Sequence, residues 1–135
     1  MSLTYTASTA ILDYNFGKTT YTVPSTLYMG LSTTTINADG TGATESTGVG
    51  AYARGAVTNN KTNFGNAGTG TLTTLTAITF AESSASWGTI TYIAFWDALT
   101  AGNIWFYEVL AVPKTVQANT TVVFSVGALT VSMTN

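Results

Sequence analysis

The chain has 135 residues and a formal charge of −2, with four Lys plus Arg, six Asp plus Glu, no His and no Cys. With 45% hydrophobic but only 7% charged residues, it can build a core but lacks the clustered ionisable groups on which most catalysis and metal binding depend. It also lacks disulfides and a basic stripe that would neutralise nucleic acid or an anionic membrane. We therefore expect one domain over residues 1–135 that is not an enzyme, holds no cofactor or metal, and binds neither nucleic acid nor membrane.

The N-terminal segment predicts a single short helix. It has neither a basic start nor a long apolar run, so we expect a soluble protein made in the cytoplasm, without a signal peptide or a membrane span. Apolar residues recur at helical spacing at Ala7, Ala10, Ile11 and Tyr14. Gly17 follows as a residue that ends helices in the left-handed conformation. The helix is predicted over residues 8–15.

From residue 26 onward the pattern is typical of strands. Segments rich in β-branched and aromatic residues are bounded by Gly, Pro, Asn, Asp or Ser, and they cover 26–33, 51–57, 71–80, 88–97, 104–111, 120–126 and 129–133. Their regular spacing predicts an all-β fold. We expect a single-domain β-sandwich or a jelly-roll-like barrel of about seven or eight strands with one short N-terminal helix.

Two of these strands are apolar at both parities. Residues 90–96 and 104–111 leave almost no polar face, so both faces of each strand should be covered by the helix, a second sheet or another subunit. Residues 98–103 between them predict a hairpin loop. The hairpin is therefore expected at the centre of the fold, and Pro113 with Lys114 predicts a turn after it.

The two Gly- and Asn-rich stretches, 34–50 and 59–70, are predicted to be loops. Residues 39–45 spread several oxygen ligands along one loop, but they lack the alternating acidic positions of a strong calcium site. No two of the six carboxylates are brought together by the pattern as a glycosidase pair would be. The sequence thus predicts no catalytic, cofactor or metal residue.

A partner interface is predicted from the aromatic residues and from the one Arg. Most aromatic side chains in residues 87–107 should pack in the core, and any that reach the surface should anchor a subunit contact. Arg54 is expected to form an ion pair, with Glu45 as a plausible partner, or to bind carbonyl groups; ligand binding is the alternative. The predicted interface residues are Trp96, Trp105, Tyr107 and Arg54.

Seven short segments resemble one family along nearly the whole chain. They are residues 27–32, 42–45, 52–54, 77–80, 87–89, 113–116 and 127–129. They resemble small bacteriophage virion structural proteins, often labelled tail fibre proteins. The resemblance implies one β-rich domain with a short N-terminal helix, no enzymatic residues, synthesis in the host cytoplasm and a place in the virion. Gly30, Gly88 and Gly127 within or beside these segments are expected to permit bulges or close backbone approach.

Two structural functions and one enzymatic function remain open. The leading hypothesis is a capsid decoration or cement protein that binds the major capsid protein and stabilises the assembled shell, because the chain lacks the repeats of a fibre shaft. The alternative is a small tail or tail-fibre component that contacts host surface glycan. A minimal glycan-cleaving domain is a remote third. Few charges and surplus apolar surface also predict a homo-oligomer, a dimer or a trimer.

Overall fold

The computed structural model describes residues 1–133. They contain nine strands and one helix, joined by loops. In chain order they are β1 Ser2–Leu3, α1 Tyr5–Asn15, β2 Thr26–Ser32, β3 Gly55–Thr58, β4 Thr71–Thr73, β5 Ile78–Thr79, β6 Gly88–Trp96, β7 Ile104–Val116, β8 Val123–Phe124 and β9 Thr130–Ser132. The predicted all-β class with one N-terminal helix is confirmed. No helix within residues 1–133 has the length and apolarity needed to cross a membrane.

Helix α1 begins earlier than predicted because Thr4 caps it. The Thr4 hydroxyl oxygen accepts a hydrogen bond from the Ala7 amide, and the same hydroxyl donates to the Ile104 carbonyl, 2.6 Å away, which ties the helix to β7. The predicted end is confirmed, since Gly17 follows the last cap residue with φ of 69°. The Lys18 amide donates to the Asp13 carbonyl, which completes a Schellman turn.

The main sheet is antiparallel and places β6 in its middle. Its strand order is β1-β7-β6-β2-β3, so the β6–β7 hairpin occupies the centre as predicted. Met29 lies opposite Phe95, and Phe95 lies opposite Phe106, which builds an apolar row across the three central strands. Within residues 1–133 the sheet stays open, so the alternative of a closed jelly-roll-like barrel is wrong.

Two small ribbons cover the first face of this sheet. One pairs β4 with β9, and the other pairs β5 with β8. Between the layers lies the main core, which includes Met29, Leu31, Ile78, Phe80, Trp87, Ile93, Phe95 and Leu129. The predicted strand 71–80 is two short strands, β4 and β5, because the chain changes partner between them: Leu75 is exposed, and its amide donates to the Asn63 carbonyl instead of to a strand.

A loop covers the second face. Ile36 from the segment 33–45 packs against Ala94, Trp96 and Ile104. Cover on both faces is thus confirmed for β6, where this side is covered by a loop of the same chain, but it is wrong for the later part of β7, where Val109 is 56% exposed. A loop can serve here because its polar groups are bonded locally, as where the Ser32 hydroxyl accepts from the Thr44 amide at 2.9 Å.

Strand β7 continues past its predicted end through a large bulge. Tyr92 lies opposite Val109 and Ile90 lies opposite Lys114, so residues 110–113 face a single residue of β6. The prediction of a turn at Pro113 and Lys114 is therefore wrong. Proline is tolerated in the bulge because the missing amide is not needed for the ladder there.

Two other predicted strands are longer than the observed ones. In 51–57 only the last part pairs, as β3, because Ala51 takes a φ of 61° and the Tyr52 amide donates to the Val49 carbonyl in a turn. In 120–126 only Val123–Phe124 pairs, after Asn119 turns the chain with a φ of 58°. Turn geometry at a non-glycine residue explains both errors.

Candidate functional site

The best-defined polar cluster joins Glu45 to Arg54. The Arg54 side chain is 7% exposed and the Glu45 side chain 9%, and they form a salt bridge. The Arg54 Nε lies 3.0 Å from each Glu45 carboxylate oxygen. The predicted ion pair is confirmed. Burial of the two side chains shields both charges from water.

The same arginine holds the β6–β7 loop. Its Nη1 donates to the carbonyls of Ala98 and Ala101, at 2.7 and 2.8 Å. Its guanidinium carbon lies 4.1 Å from the centroid of a Trp96 ring, in a cation–π contact. Arg54 therefore fastens the loop 45–54 to the central hairpin, and its bonds are to groups of this same chain.

Tyr52 completes the cluster from the core side. Its hydroxyl donates to Glu45 Oε1 at 2.6 Å and accepts from the Leu31 amide at 2.8 Å. Burial, and then the hydrogen bond to Glu45, raise the pKa of Tyr52 far above its usual range, so the phenol stays neutral. Gly30 makes room for the cluster, because a Cβ there would lie 2.6 Å from Glu45 Oε1 and from an atom of the Trp96 ring. The expected close approach at Gly30 is confirmed.

Trp105 belongs to a second polar cluster, around Asp97, which is more exposed than the first. Its Nε1 donates to Asp97 Oδ2 at 3.1 Å, and the Asn103 amide donates to Asp97 Oδ1 at 2.8 Å. Burial opposes ionisation of Asp97 most strongly, but the hydrogen bonds from Asn103 and Trp105 outweigh it and lower the pKa of this carboxyl. The arrangement closes the hairpin loop. Tyr21 packs on the indole with ring centroids 5.7 Å apart.

The four predicted interface residues differ in how far they are buried. Trp96 and Arg54 are buried and satisfied inside one cluster, whereas Trp105 and Tyr107 are half-buried. Their role at a subunit interface stays a prediction. Trp105 and Tyr107 offer more exposed surface for such a contact than Trp96, which is 4% exposed, while Arg54 lines a small open cavity beside Leu99.

The carboxylates are dispersed. Glu45 pairs with Arg54, Asp97 caps the hairpin loop, and Asp39 accepts from the Thr41 amide and hydroxyl in a tight turn. The Thr41 hydroxyl, and then its amide, lower the pKa of Asp39. Among residues 1–133 no three acidic side chains gather as metal ligands would.

An apolar groove lies beside the bulge of β7 and is here called the β7 groove. Its volume is 420 Å³, and it is lined by Leu31, Ile90, Leu110, Ala111, Val112, Lys114, Val116, Val122, Val123 and Phe124. Val112 and Val123 at its rim are more than half exposed. Among the residues of 1–133 that line it, Lys114 alone is charged.

A second apolar surface, here called the α1 stripe, runs along the helix. Tyr5, Leu12 and Phe16 are 65%, 57% and 78% exposed. At the 3.6 residues per turn of an α-helix they point within about 40° of one another. Large apolar side chains on a free helix face are typical of a contact surface.

Sequence reasoning missed both surfaces. Apolar residues at both parities in 104–111 indicated complete cover, and nothing in the pattern showed that a bulge would turn Val112 outward. For the helix a signal was present: Leu12 and Phe16 are four residues apart, on the side opposite the buried Ala7. A helical projection would have found the stripe.

Comparison with models of protein families gives a match over nearly the whole chain. A family model described as "Podophage GP4 fiber I protein gp80" matches residues 2–132. No curated protein matches the chain.

Proposed function

Because the chain belongs to the family described as Podophage GP4 fiber I protein gp80, a family of phage virion structural proteins, we propose that it is a non-enzymatic fibre unit of a podophage virion. The observation that carries the proposal is the extent of the match, which runs through all nine strands and the helix. The matched region therefore includes both the core and the surface described above.

The chemistry of the described residues supports a structural role. Glu45, Arg54 and Asp97, which are the charged groups with the most contacts, bond to partners within the same chain. They hold loops against the central hairpin. Two exposed surfaces, the β7 groove and the α1 stripe, are apolar, as is typical of contacts between subunits.

Capsid cement is the second candidate. It is favoured by the lack of short tandem repeats in the 135 residues, since a self-standing fibre shaft is repetitive. A cement protein would bind the major capsid protein and stabilise the assembled shell by its binding free energy. The family description names a fibre, so we place the cement hypothesis second.

Localisation in the particle tests the proposal. Phage lacking the gene, with and without the wild-type protein supplied from a plasmid, would be compared for adsorption to host cells and for survival of heating. A fibre unit predicts antibody label on the tail, reduced adsorption without the protein and unchanged heat resistance. Label on the shell, with lost heat resistance and normal adsorption, would instead establish the cement function. Binding of purified host glycan to the free protein tests whether the fibre unit itself touches the cell.

A further inference from the structure

The α1 stripe and the β7 groove are both apolar, and side chains project from the first whereas the second is a concave pocket. The groove is a concave apolar surface of the size that holds a small-molecule ligand, so side chains such as Leu12 and Phe16 can enter it while the helix backbone stays at its rim. An amphipathic helix laid in an apolar groove is a recurrent mode of recognition.

The charged residue of helix α1 and the charged residue that lines the groove are also of opposite sign. Asp13 follows Leu12 on the helix at the margin of the stripe, and Lys114 lies in the wall of the groove. Neither forms an ion pair with any of residues 1–133. An acidic group beside one surface and a basic group in the other favour one relative orientation of the two.

These surfaces cannot meet within one copy. Thr4 fastens the start of α1 to Ile104 at one end of β7, whereas the groove lies at Leu110 to Val116. Because Val112 lies in the bulge opposite Thr91 of β6, five residues along from Trp96, which pairs with Ile104, the two points are roughly 17 Å apart at the rise of a β-strand. The partner of each surface must therefore come from another molecule.

We propose that the α1 stripe of one copy docks in the β7 groove of a second copy. The contact is head-to-tail, since it joins two different surfaces, and it pairs Asp13 of one copy with Lys114 of the next. Such a contact closes into a ring, a trimer among others, or continues as an open chain, depending on the rotation between copies. The inference rests on the proposed function: if the chain is a fibre unit, this contact is how neighbouring units join.

Cysteine cross-linking tests the contact directly, because the natural chain has no Cys. Phe16→Cys and Val112→Cys would be prepared separately and oxidised alone and as a mixture at high micromolar concentration. The proposal predicts a disulfide-linked dimer in the mixture and little in either variant alone. Thr69→Cys, at an exposed position outside both surfaces, is the matched control and should not cross-link to either variant.

Other products would overturn the proposal. Cross-linking of Val112→Cys with itself would show that two grooves face each other, cross-linking of Phe16→Cys with itself would show paired helices, and no product at all would show that the contact does not form. Circular dichroism melts would confirm that each variant is folded.

A charge exchange gives a second, independent readout. Asp13→Lys and Lys114→Asp should each weaken self-association measured by sedimentation by about two- to fivefold, and the double variant should restore it. Equal weakening in the double variant would contradict the pairing. Failure of these tests with label on the tail would leave the fibre function in place, whereas cross-linking with label on the shell would leave the contact and remove the fibre function.

Discussion

Breaking the Glu45–Arg54 pair from one side should destabilise the protein strongly. In Arg54→Met, the Glu45 carboxylate keeps the Tyr52 hydroxyl but loses its cation in a site where the side chain is 9% exposed. Removing one partner of a buried ion pair costs about 3 to 5 kcal/mol, because the remaining charge is neither paired nor hydrated. For a chain of this size that corresponds to a fall in melting temperature of roughly 10 to 20 °C.

The double variant separates the pair from its surroundings. Glu45→Gln combined with Arg54→Met leaves no buried charge, so it should be less destabilised than the sum of the two single variants. Arg54→Lys keeps the charge but cannot bind the carboxylate and the carbonyls of Ala98 and Ala101 together, so we expect an intermediate loss.

Urea unfolding followed by circular dichroism would measure these free energies, after refolding has been shown to be reversible. The reasoning predicts a large coupling energy between residues 45 and 54. A loss below about 1 kcal/mol for Arg54→Met, the value of an exposed pair, together with additive effects in the double variant, would refute it.

Three further predictions concern packing and pH. Gly30→Ala should cost about 1 to 3 kcal/mol because the new methyl group meets Glu45 and Trp96, and Gly68→Ala, which meets nothing, should change stability little; equal effects would contradict the close approach. Phe95→Ala, at 1% exposure, should cost about 3 to 5 kcal/mol and half-buried Phe106→Ala clearly less, and the reverse order in urea melts would contradict the assigned core. Because the pKa of Asp97 is lowered on folding, its contribution to stability should be complete above the ordinary value of 3.8 and be lost as the pH falls through the folded value; Asp97→Asn should flatten this acid limb, and an unchanged limb would argue against it.

The sequence predicts the parts of the fold that depend on local pattern. Both-parity apolar runs identified the central hairpin, and Gly17 identified the end of α1. The ion pair of Arg54 could also be predicted, because a single Arg in a chain with only six acidic residues has few possible partners. Each of these features can be predicted from residues close together in the sequence or from a residue type that occurs only a few times.

What the sequence could not predict depends on long-range pairing. The bulge opposite β6, the change of strand partner near Leu75 and the loop that covers Trp96 each follow from how distant segments meet. Propensity alone does not contain that information. The exposed Val112 is one result, since the same residue in a regular strand would have faced the core or solvent according to its register.

The pairing of β1 with β7 also determines when the molecule can fold. Thr4 and Ile104, which bond to each other, are 100 positions apart, and the first strand of the chain joins the sheet only beside the seventh. During synthesis β1 must wait for β7, so this edge of the sheet is completed only after most of the chain has been made. Closing so long a loop makes folding slow relative to a helical protein of equal length. While it waits, the nascent chain exposes apolar strands with few charges to keep neighbouring copies apart, which is the period in which chaperones would matter most.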